Sequence, residues 1–254
     1  MKTVCVRSLT LGEGIPVIAV PVTEKTAEGA ARAAGLARDC ADLIELRVDH
    51  FEGAADAKAL TDLLRDVRGA ADLPVLFTLR TAREGGALDC SEEVYEAIVS
   101  TAIESGLIDL VDVELAAAKA ADLVRRAHEA GIPVILSQHD FGRTPESEAI
   151  LRDLKAMEAM GGDVAKGAYM PRSEEDAGRI LAITKEASGE LGIPLILIGM
   201  GPLGRRTRIE GERWGSALTF ASVSGKASAP GQIDASAMRQ LLAEEHRRLA
   251  EEAL

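Results

Sequence analysis

A single lysine, Lys166, lies in the middle of a short apolar segment that runs from Asp163 to Met170. A Gly-Gly turn precedes the segment and a proline follows it, a pattern that predicts a short buried strand. Lysine is strongly hydrated and is seldom buried unless it is paired or takes part in chemistry. One interpretation of Lys166 is therefore a catalytic amine. A structural lysine that reaches solvent or a carboxylate on another element is the alternative.

Further polar side chains recur at the ends of other predicted strands. Glu45, Arg47 and Asp49 are spaced by two residues and therefore share one face of a strand, as do Asp112 and Glu114. Buried charges that face the same way are costly unless they are paired or used in catalysis. The other polar groups at such positions are Arg80, Glu84, Ser137, His139, Arg205, Arg206, Arg208, Ser228 and Gln232.

Each of these groups also has a structural explanation. The charges on the second strand could form an internal network, His139 could bond a backbone carbonyl, and the arginine-rich loop could be solvated surface. The glycine-rich segment 199–204 could bind a phosphate, because barrels often do so after the seventh and eighth strands. The occurrence of all these groups at one end of the predicted fold favours a common site.

The elements that would position these side chains alternate regularly along the chain. Prolines 16, 74, 133 and 194 each lead into an odd-numbered strand at nearly equal intervals, so one βαβα unit repeats. We predict a single-domain (β/α)₈ TIM barrel over 1–254, with 1–14 as a plug or short hairpin. A doubly wound sheet is disfavoured because no GxGxxG follows the first strand. The predicted strands are 17–22, 43–49, 75–80, 107–115, 134–141, 163–170, 195–200 and 217–223, with amphipathic segments at 24–38, 54–68, 91–104, 116–130, 145–160, 173–188, 203–214 and 234–253.

Composition excludes several classes of function. The chain has 254 residues and a net charge of -12, and only 3% of its residues are aromatic, so a nucleic-acid partner is not expected. Its three cysteines form no CxxC pair and its four histidines have no metal-ligand spacing, which predicts a reduced protein without a metal site. The chain shows no signal peptide and no apolar segment of spanning length, so we expect a cytoplasmic protein with no membrane partner.

Several segments together resemble the motifs of type I 3-dehydroquinate dehydratases, in the same order and over nearly the whole chain. They are ELRVDHF at 45–51, FTLR at 77–80 with EGG at 84–86, SQHDF at 137–141, KGAYMP at 166–171 and ASAPGQI at 227–233. The resemblance implies a (β/α)₈ barrel of the Schiff-base aldolase type, a homodimer, that needs no metal or cofactor. It also implies dehydration of the carboxylate 3-dehydroquinate to 3-dehydroshikimate, either in the shikimate pathway of aromatic amino acid biosynthesis or in quinate breakdown, which use the same reaction.

Roles follow from the resemblance position by position. Lys166 resembles the imine-forming lysine, His139 the general acid/base and Glu84 its assisting carboxylate. Arg208 is similar to the arginine that holds the substrate carboxylate, although Arg205 and Arg206 lie close by in the sequence. Glu45, Arg47, Arg80, Ser228 and Gln232 match the family's substrate-binding set.

Imine formation also requires a particular protonation state of Lys166. Lys166 must be neutral when it attacks a ketone, and we expect apolar surroundings and nearby arginines to favour the neutral amine.

Two other functions are alternatives to the dehydratase: a Schiff-base barrel that acts on a phosphosugar, and a non-catalytic sensor of small acids. A sensor would need neither Lys166 nor His139, and the aldolase lacks the match of several motifs.

Overall fold

The computed structural model describes residues 2–223, 225 and 228–253. The chain begins with an antiparallel hairpin formed by β1 (Val4–Val6) and β2 (Leu9–Leu11). Eight parallel strands follow, each separated from the next by helices. They are β3 (Val17–Val22), β4 (Leu43–Arg47), β5 (Val75–Thr78), β6 (Leu110–Glu114), β7 (Val134–Asp140), β8 (Val164–Tyr169), β9 (Leu195–Gly199) and β10 (Leu218–Ser222).

The eight strands close into a barrel. Each strand from β3 to β9 pairs with the next one along the chain, and β10 pairs with β3. A bridge between Leu195 and Ser216 joins β9 to the start of β10, where the Ala217 N–H donates to the Leu195 carbonyl at 2.8 Å. The predicted (β/α)₈ architecture is therefore confirmed.

The helices cover the outside of the barrel and bury one apolar stripe each. In α2, for example, Leu60, Leu63, Leu64 and Val67 are buried at helical spacing, and Asp56 caps the first turn. The predicted helix 203–214 is in fact two short helices that meet at Glu210. The helices are α1 (Ala27–Ala37), α2 (Ala57–Ala70), α3 (Glu92–Ser105), α4 (Ala120–Glu129), α5 (Ser147–Ala159), α6 (Glu174–Glu190), α7 (Arg205–Ile209), α8 (Gly211–Trp214) and α9 (Ala235–Glu252). None of the helices within the described residues is long and apolar enough to cross a membrane.

A short strand that the sequence did not predict follows the loop after β10. This strand, β11 (Ile233–Asp234), pairs in parallel with Ala221 and Ser222, on the edge of β10 that β3 leaves free. The Asp234 side chain then accepts the Ser236 N–H at 3.0 Å and caps α9. The far end of the loop after β10 is thus tied to the barrel rim.

The barrel interior changes from apolar to charged along the strands. Because alternate residues of a strand face the same side, the residue two positions after an inward apolar side chain also faces inward. Glu45, Asp112, Ser137 and Lys166 occupy such positions. The apolar layer beneath them contains Leu43, Leu76, Leu110, Ile135, Val164, Ile196 and Leu218.

The N-terminal hairpin closes the amino end of the barrel. Val6 and Leu11 are buried against the same apolar layer, with Val4 and Leu9 packed beside them. The hairpin is therefore also a plug, so the two alternatives for residues 1–14 are one structure. The charged layer consequently opens only toward the carboxyl ends of the strands.

The plug yields a stability prediction. Leu11 is fully buried, so Leu11→Ala should lower the free energy of unfolding by about 2–5 kcal/mol, through lost burial and the cavity left behind. Urea denaturation monitored by circular dichroism measures the change. Ile15→Ala is the control, because Ile15 is 43% exposed and should matter little. Equal effects of the two substitutions would show that the hairpin is not part of the cooperative core.

Candidate active site

Lys166 lies inside the barrel, with its side chain almost completely buried. Its Nζ atom is 2.8 Å from Asp112 Oδ2 and 3.5 Å from Glu45 Oε1, and it lies 4.6 Å from the centroid of the Phe220 ring. The expectation that apolar groups and arginines surround this amine is therefore wrong for its nearest charged neighbours, which are carboxylates. Two carboxylates therefore lie within ion-pair distance of the Lys166 amine.

Asp112 and Arg80 form the buried centre of the site. Arg80 Nη2 lies 2.7 Å from Asp112 Oδ1, while Arg80 Nη1 lies 3.0 Å from Glu114 Oε1 and 3.4 Å from Glu84 Oε2. The Ser137 hydroxyl also donates to Asp112 Oδ1, at 2.6 Å. Burial alone would raise the pKa of Asp112, but the Arg80 and Lys166 cations hold that pKa well below its usual range.

Arg80 and Asp49 do not lie within strands as predicted, because β5 ends at Thr78 and β4 at Arg47. Both belong to turns that hydrogen bonds hold in place. Asp49 binds the Arg47 guanidinium through both oxygens, at 2.8 and 2.7 Å, and accepts the Ala87 N–H at 2.9 Å. A side chain at Gly86 would overlap the Arg80 carbonyl, so only glycine fits at this point of the loop.

His139 and Glu84 form a pair at the edge of this centre. His139 Nδ1 is 2.9 Å from Glu84 Oε2. Burial, reinforced by the neighbouring Glu114 and Asp112 carboxylates, raises the pKa of Glu84 to about 8 despite Arg80. Burial, together with the Arg80 and Lys166 cations, keeps the pKa of His139 well below its usual value. Both shifts favour a neutral imidazole beside a neutral acid, and the imidazole can then accept a proton.

Arg208 lies on α7, is 1% exposed and points its guanidinium toward the same region. Its Nη2 donates to the Pro230 carbonyl at 3.2 Å, and its Nε has no hydrogen-bond partner among the described residues. No ion pair joins Arg208 to a carboxylate within the described part of the chain. Burial lowers its pKa to about 10. An incoming anion would satisfy this buried cation.

The neighbouring arginines of α7 face solvent. Arg205 is exposed, and Arg206 is exposed and binds both carboxylate oxygens of Glu210, at 2.7 and 2.9 Å. Of the three arginines that the sequence offered, Arg208 is therefore the one placed to bind an anion in the barrel.

The loop after β10 contributes two polar side chains, Ser228 and Gln232. The Ser228 N–H donates to Gln232 Oε1 at 2.9 Å, and Gln232 Nε2 donates to Ser228 Oγ at 3.0 Å. Gly201 N–H donates to the Pro230 carbonyl at 3.0 Å, which holds this part of the loop against β9. Residues 224, 226 and 227 of the predicted loop, including Ala227 of its motif, lie outside the described residues.

These groups surround one cleft with an empty volume of about 520 Å³. Its polar lining contains every site residue predicted from the sequence, namely Glu45, Arg47, Arg80, Glu84, His139, Lys166, Arg208, Ser228 and Gln232. Sequence reasoning missed the apolar wall, which includes Phe141, Met200 and Phe220, and the contact between Asp112 and Lys166. The spacing of Asp112 and Glu114 revealed a shared face but did not identify their partners.

The glycine-rich segment 199–204 does not present a phosphate site. A phosphate cradle needs backbone N–H groups that are free to donate to the ligand. Four of the five N–H groups in this segment already donate within the protein: Gly199 to Thr207 Oγ1, Met200 to the Tyr169 carbonyl, Gly201 to the Pro230 carbonyl and Gly204 to the Gly201 carbonyl. This observation counts against a phosphosugar substrate.

The sequence of the chain matches a known family of enzymes over most of its length. Residues 18–248 match the family model of type I 3-dehydroquinase. The chain belongs to the type I 3-dehydroquinase family. A 3-dehydroquinate dehydratase from Klebsiella pneumoniae (strain 342) is 42% identical over 246 residues, which cover 95% of this chain and 98% of that protein.

Solved structures of type I 3-dehydroquinases have the same fold. A type I 3-dehydroquinate dehydratase from Clostridium difficile superposes with a TM-score of 0.94 at 37% identity, covering 98% of this chain and all of that one. A 3-dehydroquinate dehydratase from Geobacillus kaustophilus HTA426 gives a TM-score of 0.92 at 38% identity, with 96% of each chain covered. The family resemblance inferred from the motifs is confirmed.

The His139–Glu84 pair gives a prediction for stability as a function of pH. Folded Glu84 keeps its proton to about pH 8, whereas unfolded Glu84 loses it at ordinary acidic pH. The folded state therefore binds more protons over that range, and this contribution to stability is lost as pH rises. Gln cannot ionise, so Glu84→Gln should gain roughly 1–3 kcal/mol relative to the unmodified chain between about pH 5 and about pH 8.

Urea denaturation at the two pH values measures this gain, with the exposed Glu148→Gln as the control. A difference between Glu84→Gln and the unmodified chain that is the same at both pH values would contradict the raised pKa.

Proposed function

We propose that this chain is a hydro-lyase that converts 3-dehydroquinate to 3-dehydroshikimate through an imine on Lys166. One observation carries the proposal. The amine of Lys166 and the guanidinium of Arg208, which has no carboxylate partner within the described residues, line the same cleft of about 520 Å³. A substrate with a ketone and a carboxylate on one small ring satisfies both groups.

We assign the substrate carboxylate to Arg208. Its planar fork can bind both carboxylate oxygens, which a lysine cannot do. Ser228 and Gln232 line the same cleft and hydrogen-bond each other, and we assign their side chains to the same carboxylate. Arg47 and Arg80 line the cleft, but their guanidinium groups already bind protein carboxylates, so we assign them, with Glu45, to the ring hydroxyls.

Imine formation begins when Lys166 gives up a proton to a neighbouring base. The neutral amine attacks the ketone carbon, and the resulting carbinolamine loses its hydroxyl group as water to leave a protonated imine. His139 lies on β7, the strand beside β8, where the Ser137–Lys166 register places it one inward position above the lysine. Its neutral imidazole suits it to transfer the protons of this step.

Elimination follows from the imine. The protonated imine acts as an electron sink, so His139 can remove a proton from the ring carbon between the imine and the carbinol. The electron pair moves into the ring to form an enamine and then expels the β-hydroxyl group, which leaves as water with the proton that His139 returns. Hydrolysis of the conjugated imine releases 3-dehydroshikimate and the free amine.

Several wider properties belong to the same proposal. From the family and the acidic composition we infer a single-domain cytoplasmic homodimer that uses no metal or cofactor and binds neither nucleic acid nor membrane. We place it in the shikimate pathway of aromatic amino acid biosynthesis, as the relatives' name implies. The Clostridium difficile relative is described as containing covalently modified comenic acid, which fits covalent chemistry with a small acid.

The proposal predicts the site of covalent trapping. Incubation with 3-dehydroquinate and borohydride should add the mass of one reduced substrate to the peptide that contains Lys166. Lys166→Met should abolish both this adduct and turnover, because a thioether cannot form an imine. Lys185→Met, at an exposed lysine, is the control and should trap normally. An adduct on any other lysine would refute the assignment.

A second prediction concerns the carboxylate. Arg208→Lys keeps the charge but loses the forked geometry, so binding of 3-dehydroquinate should weaken by about 1.5–3 kcal/mol. Titration calorimetry in the Lys166→Met background measures the loss, with the exposed Arg205→Lys as control. Stronger binding of a phosphosugar than of 3-dehydroquinate to the protein would instead support the aldolase alternative.

A further inference from the structure

Asp112 contacts two cations of the site through different oxygen atoms. Oδ1 accepts from Arg80 Nη2 at 2.7 Å and from Ser137 Oγ at 2.6 Å, while Oδ2 accepts from Lys166 Nζ at 2.8 Å. The carboxylate is completely buried. Arg80 and Ser137 therefore fix its orientation, and Oδ2 is directed at the lysine amine.

Glu45 approaches the same amine less closely. Its Oε1 lies 3.5 Å from Lys166 Nζ and already accepts the Thr78 hydroxyl at 3.1 Å. Phe220 borders the amine with its ring face, which attracts a cation but accepts no strong hydrogen bond. Asp112 is thus the carboxylate with the shorter contact and the better-fixed geometry.

The position of this contact matters at two stages of an imine reaction. The resting ammonium carries its charge at Nζ, and the protonated imine carries its charge at the same atom with one N–H left to donate. A carboxylate at 2.8 Å can accept that N–H and balance the charge in both states, and the buried setting strengthens the interaction.

Building on the proposed function, we propose that Asp112 is a positioning residue that holds Lys166 Nζ at the point of attack and acts as the counterion of the protonated imine. Because Asp112 places a negative charge 2.8 Å from Nζ, its removal should change the way in which the rate of imine formation depends on pH. The other charged groups that surround the amine across the cleft are Glu45, Arg47, Arg80, Glu84, His139 and Arg208.

The pH dependence of trapping tests this role. The rate at which 3-dehydroquinate and cyanoborohydride add mass to Lys166 is measured over a pH series for the unmodified chain and for Asp112→Asn. The amide keeps the shape but not the charge, so the ammonium loses its stabilisation and the acid limb of the profile should move to lower pH by roughly one to three units.

Glu114→Gln is the matched control. Glu114 lies on the same strand and binds Arg80 and Thr81, whereas the carboxylates within 4 Å of the Lys166 amine, among the described residues, are Asp112 and Glu45. This substitution also removes one buried negative charge and loosens Arg80, so it reports any general effect of the acidic cluster. Its acid limb should move less than half as far as that of Asp112→Asn.

The outcomes separate the two proposals. If the unmodified chain does not trap substrate on Lys166, the proposed function fails. If it does trap, two results would overturn the role of Asp112. One is an Asp112→Asn trapping rate that is lowered by the same factor at every pH, and the other is an acid limb of Glu114→Gln that shifts as far as that of Asp112→Asn.

Should circular dichroism show Asp112→Asn to be unfolded, Ser137→Ala replaces it. Loss of the hydroxyl donor leaves more charge on Asp112, so its acid limb should move to higher pH, and an unmoved limb would overturn the proposal.

Discussion

The burial of two cations against one carboxylate constrains this structure most. Asp112 is fully buried and bonds both Lys166 and Arg80, and Arg80 is held in addition by Glu84 and Glu114. Each buried ion costs several kcal/mol in desolvation, which only well-formed pairing offsets. Removing one partner would leave an unpaired charge in the barrel, so the positions of these side chains are tightly coupled to one another.

The barrel makes this arrangement possible. The strands pair in sequence around the barrel, a bridge joins β9 to the start of β10, and the apolar layer and the N-terminal hairpin keep water from the amino end. The charged layer therefore has one open side, toward the loops that carry Glu84, Arg208 and Ser228. Side chains from the strands and from the segments that follow them meet in one cleft, as is usual for this fold.

Much of this organisation could be predicted from the sequence. Apolar runs and regular prolines located all eight strands, and residues spaced by two gave the inward face of β4 and β6. The partner of Lys166 could not be predicted in the same way. In register Lys166 lies opposite Ser137, which lies opposite Glu114, yet its amine binds Asp112 one inward position earlier. Side-chain length and direction inside a closed barrel decide that choice, and neither is visible in a linear pattern.

Two other features of the structure could not be predicted from the sequence, because they too depend on tertiary packing. The strand β11 depends on a loop returning to the exposed edge of β10, and its two residues carry no periodic pattern. Arg205, Arg206 and Arg208 all lie on α7, yet only Arg208 is buried, while Arg205 and Arg206 are exposed to solvent. Here the sequence offered three arginines in one loop, and only tertiary packing distinguishes them.

A crystal structure of the protein after borohydride reduction with 3-dehydroquinate would test the proposed roles of Lys166, Asp112 and Arg208 together. We expect a covalent bond from Lys166 Nζ to the former ketone carbon, with Asp112 Oδ2 still within about 3.2 Å of that nitrogen. The substrate carboxylate should lie against Arg208, with Ser228 and Gln232 beside it. A reduced ring whose carboxylate binds Arg47 or Arg80 instead, or an adduct whose nitrogen has left Asp112, would contradict these roles.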